Sequence, residues 1–295
     1  LMDRNIILAI ALSLATLLAF QYFGQKPASI PQQDTANKSI PADQQHALPN
    51  AKAIKDEKPA EKNKSAIEMH PSVGAIEKEI VVETDLYKAV LTNRGATFKQ
   101  VELKKYQTKD GSKPIIFHAN AALPPLAIGF DDDFLFAGAF FNASATALTL
   151  GGSQQEASLI FEYTDQTGSR KIRRTYTFYQ GEYRIDIKDE VQGFPTYYVT
   201  LGKEFGMYEK DDNHYGPVVL VDADRKEFNE TGLKSAALFK GAVKWIAQED
   251  KYFFSALVPK SAIEEAAVIP KNDSSIAFIK TSAQVNQFMF YVGPK

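Results

Sequence analysis

The sequence predicts an all-β sandwich that begins about a quarter of the way along the chain, and three observations predict it. Tyr183, Ile185 and Ile187 alternate with Arg184, Asp186 and Lys188, which is the period-two pattern of a half-buried strand. More than a dozen short apolar runs follow residue 76, separated by turn formers such as Asn93-Arg-Gly95, Lys109-Asp-Gly-Ser112, Gln166-Thr-Gly-Ser169, Gln180-Gly181 and Lys271-Asn-Asp273. Of the 34 aromatic residues, 31 lie from Tyr87 onward, the others being Phe20, Tyr22 and Phe23. Many short strands with almost no long helical period argue for sheet packed on sheet.

Taken in order, residues 5–23 are nearly all apolar, interrupted by Asn5, Ser13, Thr16 and Gln21. Nineteen helical residues rise about 28 Å, close to the ~30 Å hydrocarbon core of a bilayer. Arg4 and the N-terminal amine precede the run, and positive charge stays cytoplasmic. Residues 1–23 are therefore expected to be a transmembrane anchor with the remainder outside. A cleaved signal peptide is the rival reading, but Gln21-Tyr-Phe-Gly-Gln-Lys-Pro27 offers no small-x-small cleavage site.

Residues 24–75 hold no aromatic side chain and six of the fourteen prolines. Such a stretch cannot bury enough apolar surface to offset chain entropy and is expected to be a disordered linker. Its lysines at 52, 55, 58, 62 and 64 interleave with Asp56, Glu57 and Glu61, as in a solvated segment. Residues 76–295 are then the globular domain. Strands are expected at Glu79–Glu83, Tyr87–Leu91, Thr97–Leu103, Leu126–Phe130, Ser158–Tyr163, Lys171–Tyr179, through Tyr183–Ile187, and at Tyr197–Leu201 and Val218–Val221. Further runs lie at Val243–Ala247, Phe253–Val258, Ala266–Ile269, Ser275–Lys280 and Gln287–Val292. One short helix is expected near Phe228–Phe239.

A net charge of −2 gives no basic field for a nucleic acid. Zero cysteines exclude disulfides, thiolate catalysis and cysteine-ligated metal. No cofactor motif is present: Gly151-Gly152 lacks the strand-to-helix setting of a phosphate loop, and His46 and His70 are isolated. Asp131-Asp-Asp133 could suggest a metal or glycosidase cluster, but adjacent residues on a strand or turn point apart. His118 and His214 are the domain's histidines and show no acid–base partner spacing. Ser255 and Ser261 lack a nucleophile-elbow setting. Arg170-Lys-Ile-Arg-Arg174 reads as a solvated strand face, and Asp211-Asp-Asn-His-Tyr-Gly-Pro217 as a surface loop. No catalytic residue is expected.

The run from Trp245 to Pro259 carries the sole tryptophan beside Tyr252, Phe253 and Phe254. These rings either line a cleft for an extended peptide or glycan or face the core; Trp245, Tyr252 and Phe253 are the candidate interaction surface. Read together, four stretches resemble the bacterial YidC membrane protein insertase family. They are the opening Met2-Asp-Arg-Asn before an apolar helix, Thr84-Asp-Leu-Tyr-Lys-Ala-Val-Leu-Thr-Asn-Arg-Gly95 with Leu103-Lys-Lys-Tyr106, Trp245–Pro259, and Tyr291-Val-Gly-Pro-Lys295. The resemblance implies an inner-membrane protein of a Gram-negative cell whose periplasmic domain is a β-supersandwich similar to galactose mutarotases. It also implies work with the Sec translocon and its auxiliary subunits on nascent membrane proteins, without bond chemistry or cofactor. The family continues into further transmembrane helices carrying the insertase core, so the chain is expected to be truncated before it. The alternative is a membrane-anchored periplasmic sugar-binding or carbohydrate-active protein.

Overall fold

The computed structural model describes residues 76–203, 205–206 and 214–295. The expected anchor and linker lie outside the described residues, as do Asp211, Asp212 and Asn213. No helix among the described residues is long and apolar enough to cross a membrane.

The described chain is built from strands: β1 Glu79–Glu83, β2 Tyr87–Thr92, β3 Thr97–Leu103, β4 Ile128–Gly129, β5 Asn142–Ala143, β6 Ala147–Thr149, β7 Glu156–Thr164, β8 Lys171–Tyr179 and β9 Arg184–Gln192. After these come β10 Tyr197–Thr200, β11 Gly216–Val221, β12 Asp224–Glu227, β13 Ala237–Phe239, β14 Val243–Glu249, β15 Phe253–Pro259, β16 Glu265–Lys271, β17 Ser274–Thr281 and β18 Val285–Pro294. They form three sheets. The largest runs β12-β11-β14-β15-β18-β9-β8-β7-β5, the second β13-β16-β17-β10-β4, and the third β3-β2-β1-β6. Neighbours pair antiparallel except β1 with β6.

Strand alternation decides which side chains the sheets enclose. Ile172, Tyr176 and Phe178 of β8, Ile185 and Ile187 of β9 and Phe288, Phe290 and Val292 of β18 meet Tyr87, Leu91, Phe98 and Val101 of the smallest sheet, and Val199, Val268 and Ile279 of the middle one, in one core. Phe98 packs edge-on to Tyr176 at 5.5 Å and lies 5.7 Å from Phe290. A second cluster seals the other face of the middle sheet, where Leu123, Ala127 and Phe134 cover Ala267, Ile276 and Phe278.

Three readings need correction. Gly216 and Pro217, read as the end of a surface loop, are buried at the start of β11, where they pair with Glu249 and Gln248 of β14. No helix forms over 228–239; that stretch is irregular with bends and ends in β13. Its backbone groups pair with neighbouring strands instead: Phe228 N–H donates to Pro217 O, and the Glu230 carbonyl accepts from Ser275 N. Gly232 turns the chain at φ +83°. Arg174, read as part of a solvated face, is fully buried. Lys171 and Arg173 point outward, with Arg173 paired with Glu162. Arg174 Nε and Nη2 each donate to the Asp189 carboxylate at 2.7 Å, and Nη1 donates to the Leu126 carbonyl. Asp189 is the inward residue of β9 that faces Arg174 in register.

Candidate functional site: an aromatic cleft at one end of the sandwich

The turn between β14 and β15 is organised by Asp250. Its Oδ1 accepts from the backbone N–H groups of Tyr252 (2.9 Å) and Phe253 (2.8 Å), and its own N–H donates to Phe253 O. Phe253 therefore enters the core at 6% exposure while Tyr252 stays 46% exposed. Opposite stands the segment that leaves β3. There Asp110 accepts from the Thr108 hydroxyl and from the Ser112 N–H and hydroxyl, which holds the carboxyl down at about 2. The third wall is the end of β18: Pro294 sits across from Phe253 in register, and Lys295 N–H donates to Tyr252 O at 2.9 Å.

These walls enclose a cleft of about 720 Å³ lined by Tyr106, Pro114, Tyr252, Phe253 and Pro294 with Thr108, Asp110 and Lys295 at its polar edge. Phe253 is the floor. Tyr106 meets it edge-on at 5.6 Å and Tyr252 at 6.3 Å. Burial pushes the Tyr183 hydroxyl behind this site up to about 12, assisted by Tyr106 and Tyr291. Gly293 makes the arrangement possible, because a Cβ there would lie 2.8 Å from Tyr183 Cγ. Tyr291 Oη in turn donates to Pro294 O at 2.8 Å. The closing Tyr291-Val-Gly-Pro-Lys295 stretch thus shapes the cleft.

Beside the cleft, Glu249 gathers His214 Nδ1 at 2.9 Å, Lys295 Nζ at 3.2 Å and the Arg225 guanidinium. Burial raises its pKa, but the bonds from His214 and Arg225 and the charge of Lys295 outweigh that and hold it below the ordinary carboxylate range. Burial dominates at Asp250, whose pKa is raised in spite of the Phe253 and Tyr252 backbone bonds.

The structure splits the aromatic run. Tyr252 and Phe253 line the cleft. Trp245 and Phe254 lie on the other face of the sheet, packed with Val218, Ala247, Ala256 and Tyr291, and Phe254 stacks on Tyr291 at 4.7 Å. Neither Tyr106 nor the Lys109–Ser112 turn was expected at this site; a tyrosine directly before a turn-rich stretch was the available signal. His214 Nε2 bonds Phe228 O at 3.1 Å, while His118 is exposed. Asp133 pairs with Lys271 at 3.1 Å. Ser255 is buried, and Ser261 Oγ accepts from Gln287 N–H. No group of three or more His, Asp or Glu is placed to hold a metal among the described residues.

Known proteins resemble this chain in sequence and in shape. It is 28% identical over 328 residues to the membrane protein insertase YidC of Syntrophus aciditrophicus, covering 100% of this chain and 59% of that protein. The like-named protein of Geotalea daltonii is 27% identical, at 100% and 58% coverage, and that of Maridesulfovibrio salexigens 27%, at 99% and 56%. The chain thus spans a little over half the length of these relatives. Among solved structures, a galactose mutarotase-like protein from Lactobacillus casei aligns at TM-score 0.45 and 9% identity, covering 74% of this chain and 100% of that one. A putative mutarotase from Salmonella typhimurium aligns at 0.44 and 9%, covering 73% and 90%. Residues 79–295, the whole run from the first strand to the wall of the cleft, match the family described as the YidC periplasmic domain, and the chain belongs to that family.

Proposed function

We propose that this chain supplies the periplasmic module of a membrane protein insertase that assists insertion and folding of inner-membrane proteins beside the Sec translocon and its auxiliary subunits. The observation that carries the reading is the match over 79–295, supported by similarity along this whole chain to a little over half of proteins named as insertases. Residues 1–23 serve as a single membrane anchor, 24–75 as the linker and 76–295 as the module outside. The work is transient binding and positioning, with no bond made or broken, and Tyr252 and Phe253 form the contact surface through their cleft. Trp245 supports that surface from the far side of the sheet. A sugar-chemistry reading draws no support from the histidines: one is exposed, and the other is bonded to Glu249 and Phe228 O.

Replacing the matching domain of the Syntrophus aciditrophicus relative by residues 76–295 tests the reading in cells depleted of their own insertase. The hybrid is expected to insert a client membrane protein and to copurify with translocon subunits. A stable, membrane-integrated hybrid that inserts no more client than an empty vector overturns it.

A further inference from the structure

Five of the six sheet edges among the described residues are blunted. β12 is Asp224-Arg-Lys-Glu227 with every side chain exposed, and charge along an edge discourages pairing. β4 and β5 are two residues long. The outer side of β3 is taken up where Ile116 N–H donates to Val101 O and Leu103 N–H to Pro114 O. β6 turns its one large apolar side chain, Leu148, against the core. β13 differs. Ala237-Leu-Phe239 carries no charge, Leu238 is 58% exposed, and among the described residues no strand pairs with its outer side.

The two faces of β13 continue two apolar layers. Leu238 stands in register with Ala267, which belongs to the cluster of Leu123, Phe134 and Phe278. Phe239 pairs with Ala266, packs against the principal core and meets Phe228 at 5.9 Å. A strand added beyond β13 therefore borders apolar surface on both faces, and a strand buried on both faces is a continuous apolar run rather than an alternating one. Lys234 and Lys240, both exposed, stand before and after β13; Lys240 reaches Glu265 only at 3.9 Å. The edge thus suits an apolar run with carboxylates at its ends. A second copy of this chain fits less well. Antiparallel pairing of β13 with itself brings Lys240 of each copy beside Lys234 of the other, and like charges across a ladder repel.

We propose that β13 is a capture edge for extended apolar segments of client membrane proteins, which add to the middle sheet as an outer strand through main-chain hydrogen bonds. The proposal rests on the insertase reading above for the identity of the client, and on β13 alone for the chemistry of the edge. Segments bound for the bilayer are apolar all round, and their outer flanks are poor in Lys and Arg, so the lysines beside β13 do not repel them. Capture in extended form keeps such a segment from pairing with others before it becomes a helix.

The test uses the full chain in phospholipid nanodiscs and reads the fluorescence anisotropy of a labelled peptide, Glu-Glu-Val-Leu-Val-Ile-Val-Leu-Glu-Glu, with empty nanodiscs as the blank. Binding is expected, and Leu238→Lys is expected to weaken it about tenfold, as loss of an apolar contact of leucine size implies. A peptide with serine at every second apolar position, and one N-methylated along its backbone, are expected to bind no better than to the blank. Lys234→Glu with Lys240→Glu leaves the strand itself intact and is the second variant; it is expected to exchange the preference for glutamate flanks for one for lysine flanks. Unchanged affinity in Leu238→Lys, or equal affinity for the N-methylated peptide, overturns the proposal. So does a chain that dimerises without peptide and dissociates in Leu238→Lys, since a second copy is then the occupant. Peptide binding at the edge beside an inactive hybrid in the depleted cells refutes the insertase reading and leaves the strand-capturing edge. An active hybrid whose edge binds no peptide overturns this proposal alone.

Discussion

At the scale of single residues, the buried Arg174–Asp189 pair is the feature most exposed to mutation. Burial alone would lower the Arg174 pKa, yet the Asp189 charge and bonds raise it, so Arg174 stays charged inside the core. Removing one partner leaves an uncompensated buried charge, which costs about 3–5 kcal/mol. Arg174→Met is expected to lower the urea unfolding free energy by that amount, and Arg174→Met with Asp189→Leu to recover most of it, because two apolar side chains replace the pair. Asp250 behaves differently. Its folded pKa is raised by burial, so the folded form holds the proton more tightly than the unfolded chain. Its contribution is greatest below the ordinary aspartate range and is lost as pH rises through the folded pKa. Asp250→Asn keeps an oxygen for the Tyr252 and Phe253 N–H groups and places an amide where Oδ2 has no partner. Stability of the variant relative to the parent should rise with pH across that window and then level off; a flat difference between their urea midpoints would refute the assignment.

At the scale of elements, the strands were legible wherever two conditions held together: side chains alternated, and turn formers marked the ends. β1, β3 and β8 coincide with their expected spans, and Arg174 itself lay in the inward register with Ile172, Tyr176 and Phe178. The charge of the Arg170–Arg174 run concealed that register. The two- to four-residue strands β5, β6 and β12 carry no usable alternation and exist because a neighbour supplies their hydrogen bonds. Gly293 shows how one element depends on another. Alanine there would bring a Cβ within 2.8 Å of the Tyr183 ring. Overpacking of this kind costs about 1–3 kcal/mol, and Gly293→Ala is expected to show that loss together with an altered near-ultraviolet circular dichroism signal from the displaced tyrosine.

At the scale of the molecule, ladder hydrogen bonding in the described chain begins at Glu79, and the core then draws on all three sheets. Limited proteolysis of the whole chain is expected to leave a resistant fragment beginning near residue 76, read by N-terminal sequencing, since cleavage follows unpaired and unburied backbone. Early cuts within the strands would contradict that boundary. A phosphatase fused after Lys295 is expected to be active, and a cytoplasmic reporter at the same place silent, if positive charge at Arg4 keeps the N-terminus inside; the reverse pattern would refute the proposed topology.

The sequence by itself determined the fold class, most strand positions and the family resemblance, because period-two alternation, turn chemistry and motif order are properties of neighbouring residues. It also named Tyr252 and Phe253 while leaving open whether they line a cleft or fill the core. Tertiary structure decided that point. Asp250 turns the chain so that one ring enters the core and the next stays exposed, and strand alternation sends Trp245 and Phe254 to the opposite face. It alone brought Tyr106 and the Asp110 loop, more than a hundred residues away in sequence, against Phe253. Contacts at such separation depend on which strands pair across the sheets, which no local pattern specifies.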